Sequence, residues 1–85
     1  MNMTFQSTTD NHLSSLIRRV FRVDREEIGY IRFTLESYDG MATVTTLDPH
    51  AALIEVFISP GCEETVLELL AFLKYDEGLH IYKTT

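Results

Sequence analysis

Apolar positions along this chain change their period six times, in the order strand, helix, strand, strand, helix, strand. The first segment, Leu16–Val23, alternates. Ile17, Phe21 and Val23 point one way, and Leu16, Arg18, Val20 and Arg22 point the other, as successive side chains on a strand must. Arg19 falls on the apolar side, which predicts a strand-end position or an aliphatic stem laid along the core with its charge in water. Asp24 then reads as an N-cap, and Glu27, three residues on, completes a capping box with Asp in place of Ser or Thr. The helix that follows runs to about Tyr38. Ile28, Ile31, Leu35 and Tyr38 share one face, and Tyr30, Phe33 and Thr34 form a second face beside it. Asp39-Gly40 ends the helix, Gly40 being free to take the left-handed conformation of a C′ residue.

The second half repeats the order with a strand in front. Met41–Leu47, rich in Thr and Val, predicts strand two. Asp48-Pro49-His50-Ala51 predicts a tight turn, because Asp bonds the backbone ahead of it and Pro presets φ. Leu53–Ser59 is strand three, with Ile54, Val56 and Ile58 on one face and Leu53, Glu55 and Phe57 on the other. Ser59-Pro60 predicts the start of helix two, Ser as N-cap and Pro at the first helical position. Val66, Leu69, Leu70 and Leu73 make its buried stripe, and Gly78 stops it. Leu79–Lys83 is strand four, with Leu79 and Ile81 opposite His80 and Tyr82. Residues 1–12 are polar around one Phe and predict a flexible tail, leaving 13–85 as a single domain.

Two strand–helix–strand units joined by a short hairpin satisfy the right-handed crossover rule when strands one and three are central and adjacent. The expected fold is α+β: a ferredoxin-like βαββαβ two-layer sandwich, with a four-stranded antiparallel sheet of order 4-1-3-2 and two helices on one face. The other face is open. It is expected to carry Leu16, Arg18, Val20, Arg22, Glu55, Phe57, His80 and Tyr82, with Arg18 or Arg22 near Glu55. That face is too apolar for plain solvent. Eighty-five residues also make a small core, so a homodimer is expected, with Val20, Phe33, Leu53, Phe57 and Tyr82 as interface candidates.

Charge narrows the function classes. The net charge is −6, which repels phosphate backbones and argues against nucleic acid as a partner. The open face also lacks the two or three stacking aromatics of an RNA-recognition sheet. Charge is uneven. Residues 12–33 hold five Arg against three acids, while residues 34–85 hold nine acids against two Lys. No apolar run approaches a membrane span, residues 1–7 lack the pattern of a signal peptide, and one cysteine forms no internal disulfide. These features lead to the expectation of a cytoplasmic protein.

The chemistry-bearing residues are sparse. Cys62 sits near the start of helix two, where a helix N-terminus lowers a thiol pKa, but Glu63 and Glu64 oppose that effect. His12, His50 and His80 lack the short spacing of a metal site. Glu26-Glu27 and Glu63-Glu64 are adjacent pairs that face different ways on a helix. There is no phosphate loop and no serine elbow. No catalytic residue, metal or cofactor is therefore expected. The loop from Asp24 to Gly29 is the single ligand candidate. Unpaired amides at a helix start, with Arg25 beside them, suit a small anionic metabolite, and Asp24, Arg25 and Glu27 are its candidate residues.

Two resemblances bear on this. The runs Arg22-Val23-Asp24-Arg25-Glu26-Glu27-Ile28-Gly29-Tyr30 and Glu36-Ser37-Tyr38-Asp39-Gly40-Met41-Ala42-Thr43-Val44-Thr45-Thr46-Leu47-Asp48-Pro49 resemble a family of short bacterial proteins known only as a domain of unknown function. The likeness covers roughly residues 16–75 and implies a ferredoxin-like fold with no assigned activity. More distantly, the chain is similar to the ACT regulatory domain, whose Asp-Arg-Pro-Gly motif binds amino acids beside the loop after strand one. Asp24 and Arg25 match that motif, while Glu26 and Glu27 stand where Pro and Gly would be. The expected function is a non-catalytic dimeric interaction or regulatory module that binds a protein or small anionic metabolite. The alternative is a small enzyme with its active site at the dimer interface.

Overall fold

The computed structural model describes residues 16–38 and 40–84; the tail expected over residues 1–12 lies outside them. The elements are β1 (Ile17–Val23), α1 (Ile28–Glu36) preceded by a 3-10 turn (Arg25–Glu27), β2 (Ala42–Asp48), β3 (Leu53–Ile58), α2 (Glu63–Ala71) and β4 (Ile81–Lys83). A π-helical turn, Phe72–Asp76, extends α2. The strands form one antiparallel sheet in the order β2-β3-β1-β4. The βαββαβ sandwich and its strand order are thus those the apolar periods predict.

Alternation along the strands places the core. Phe21 and Val23 of β1, Val44 of β2, Ile54, Val56 and Ile58 of β3 and Ile81 of β4 are all buried. Ile31 and Leu35 of α1, and Val66, Leu70 and Leu73 of the α2 segment, close over them. Arg19 lies on this side and reaches out to Glu63 at the start of α2, its Nη2 donating to Oε2 at 2.5 Å. A bulge between Thr46 and Asp48 leaves Leu47 unpaired and exposed. The Asp48 turn forms as expected, Oδ1 accepting from the amides of His50 at 3.0 Å and Ala51 at 3.2 Å.

Both helix starts differ from expectation. Neither Asp24 nor Glu27 makes a side-chain cap bond, and the chain enters α1 through the 3-10 turn, closed by the Glu27 amide on the Asp24 carbonyl at 2.9 Å. The main chain takes the Glu27 amide, the donor an Asp24 side chain would have capped, so no capping box forms. Likewise, Ser59 and Pro60 do not begin α2. The Cys62 amide donates to the Ser59 carbonyl at 3.0 Å, Gly61 takes a φ of +84°, and the helix begins at Glu63 with Cys62 in the N-cap position. The Ser59 hydroxyl instead donates to the Gly40 carbonyl, tying the end of β3 to the start of β2.

Two further corrections concern which side chains are covered. Tyr38 lies beyond the last residue of α1 and is 53% exposed. The helix stops two residues earlier than its apolar spacing predicts, and the Tyr38 side chain stays in solvent. Strand four begins at Ile81, two residues late. His80 therefore precedes the strand, though its ring stays beside Tyr82 of the open face.

Candidate functional site

Two places in the fold gather unusual side chains. The first is the end of the sandwich where β1 runs into α1 and α2 runs into β4. In the β1–β4 ladder Val23 pairs with Ile81. Antiparallel pairing makes the residue after one the neighbour of the residue before the other, so Asp24 and His80 meet although 56 positions separate them. His80 Nδ1 lies 2.7 Å from Asp24 Oδ2. The His80 amide donates to Glu27 Oε1 at 3.3 Å. One ligand-type atom from each of Asp24, Glu27 and His80 falls within 4.8 Å of the others. Asp24 and Glu27 are half-buried and His80 is exposed.

A second pair borders this cluster. The Tyr30 hydroxyl donates to Glu77 Oε1 at 2.8 Å. That bond holds the proton on the phenol, and partial loss of hydration and the Glu77 charge act the same way, so the Tyr30 pKa lies above its ordinary value. The His80 ring also stacks near Tyr82, with centroids 6.4 Å apart. The structure thus unites Asp24 and Glu27 of the predicted loop. Arg25 is exposed and makes no ion pair among the described residues. His80 is the member that sequence spacing missed. The signal available for it was indirect: the pairing of two strands whose order was predicted.

The second place is the uncovered sheet face. Across it run three rows set by the register: Thr43–Phe57–Arg18, Thr45–Glu55–Val20, and Leu53–Arg22–Tyr82. Arg18 donates through Nε to Glu55, as the expected proximity of Arg18 or Arg22 to Glu55 requires, and Glu55 is left only 12% exposed. Val20, Leu53 and Phe57 are half-buried by their neighbours, while Tyr82 and Leu47 are exposed. Four of the five interface candidates therefore share one surface. Phe33 does not; it is 72% exposed on α1, on the helical layer. That layer also exposes Tyr30, Leu67, Phe72 and Tyr75, of which the sequence pattern singled out only Tyr30. Lys74 stands 5.4 Å from the Tyr75 ring centroid and 5.2 Å from that of Tyr82, joining the end of the α2 segment to the edge strand β4.

The chain is a small βαββαβ sandwich with one open sheet face and a carboxylate–histidine cluster at one end. Residues 21–76 match the family model described as a domain of unknown function, DUF4911. The chain belongs to that family. No curated protein and no solved structure matches it. No helix among the described residues is long and apolar enough to cross a membrane.

Proposed function

We propose that this chain is a non-catalytic module that pairs with a second copy of itself through the open face of its sheet. One observation carries this reading: Val20, Leu53, Phe57 and Tyr82 lie together on a face that no element of the described chain covers. The charges on that face suit a second copy. Arg18 and Glu55 already neutralise each other, so burial strands neither. Arg22, beside Leu53 and Tyr82, is a cation offered to an otherwise acidic chain. A two-fold dimer uses the same patch twice, which the mixed apolar and paired-charge composition permits. The small core supplies the drive, since short domains bury too little surface alone.

Sedimentation equilibrium tests the proposal. The wild-type chain is expected to sediment as a dimer at micromolar concentration. Phe57→Glu places a charge on the inner strand β3 of the face and is expected to yield a folded monomer. Phe33→Glu, on the helical layer, is expected to leave the dimer intact. A monomeric wild type at high concentration overturns the proposal. A dimer broken by Phe33→Glu and not by Phe57→Glu transfers the interface to the helices.

A further inference from the structure

We propose that Asp24, Glu27 and His80 form a binding site for a first-row divalent cation of the zinc type. The donor set is chemically apt: imidazole nitrogen and carboxylate oxygen are both zinc ligands, and three protein ligands leave a position for water. Ligand atoms held about 2.0–2.2 Å from a tetrahedral ion stand roughly 3.4 Å apart. The three groups offer atoms within 4.8 Å of one another, with Nδ1 and Oδ2 at 2.7 Å, so small side-chain rotations admit an ion between them.

Three further observations support a cation here. First, the two carboxylates have no structural task at the helix start. Sequence gives both the positions of a capping box, yet the Asp24 carbonyl takes the Glu27 amide and both side chains turn to His80. Second, the local charge is unbalanced. Two carboxylates converge on one imidazole, and among the described residues no Lys or Arg pairs with either. A divalent cation corrects that excess. Third, the groups are held by rigid parts of the fold. The Val23–Ile81 pair fixes the neighbours Asp24 and His80. Glu27 is set by the 3-10 turn, and the Tyr30–Glu77 bond ties α1 to the segment that leads into His80. Ligand placement by sheet register explains why no short His-containing motif marks the site.

Isothermal titration of the full chain with zinc chloride tests this, with circular dichroism as the check on folding. One zinc per chain is expected. Asp24→Asn, Glu27→Gln and His80→Ala are each expected to weaken binding at least tenfold while retaining the wild-type spectrum. His50→Ala and Cys62→Ser, at the other described histidine and at the single cysteine, are expected to bind as wild type. Nitrogen-15 spectra of the wild type with added zinc supply a readout independent of mutant folding: the His80 ring signals are expected to shift at one equivalent. Absence of zinc binding overturns the proposal. So does binding that survives His80→Ala and Glu27→Gln, or binding lost in His50→Ala or Cys62→Ser with unmoved His80 signals.

Discussion

His80 and Tyr30 show how far a residue's role depends on what arrives beside it. In sequence, His80 is a lone histidine on a short apolar segment, and Tyr30 is a member of an apolar helical face. In the fold, one lies against two carboxylates and the other bonds a third, Glu77. The Tyr30 bond carries a prediction about pH. Its phenol pKa is raised in the folded chain, chiefly because the protonated hydroxyl donates to Glu77. The folded state therefore holds that proton more tightly than the unfolded state does. The resulting stability is fully present below the ordinary phenol pKa of about 10 and is lost as pH rises through the folded value. Tyr30→Phe is expected to lower the neutral-pH melting temperature slightly, the pair being exposed, and to flatten the fall above about pH 10 by a matching amount. Equal alkaline slopes in the two proteins would contradict it.

Among the elements of the described residues, apolar spacing located each strand and α-helix, and its errors sit at the ends. Helix termini are decided by which partner each free amide or carbonyl finds, and those partners are not all local. Asp24 and Glu27 illustrate this, as does Ser59, whose hydroxyl finds the Gly40 carbonyl. Glu36 is a further case that the pattern does not signal. From the last turn of α1 its Oε2 accepts the amide of Val44 at 2.8 Å. β2 is an edge strand, and an edge amide is a place where a foreign strand can pair. Nearby, Arg32 Nη2 donates to Thr46 Oγ1 at 3.1 Å, a second polar tie between the same helix and strand. Glu36→Ala is expected to cost about 1 kcal/mol in urea unfolding, the typical net value of one such bond. It is also expected to speed exchange of the Val44 amide. Unchanged exchange at Val44 would show that the carboxylate does not protect it.

Taken entire, the two-layer arrangement leaves one face of the sheet uncovered by any element of the described chain. A dimer through that face makes folding and association one equilibrium, so the melting temperature of the wild-type chain is expected to rise with protein concentration, and that of Phe57→Glu is not. A melting temperature independent of concentration in both would place the open face in solvent. Much of this level was legible in the sequence. Alternation in β1 and β3 is enough to separate Phe21, Ile54, Val56 and Ile58 from Val20, Glu55 and Phe57, because a strand has a period of two whatever packs on it. Connection lengths and the handedness of crossovers then leave few strand orders, and the observed order is among them. The number, type and order of the elements, the buried face of each and the composition of the open face are therefore properties of the residue pattern alone. They follow from local geometry and from the solvent preference of single side chains. It took the packing of distant segments to turn Asp24 and Glu27 from their helix to His80 and to bring Glu36 over Val44. Each of these depends on the register between stretches far apart in the chain, where a shift of one residue moves a side chain to the opposite face.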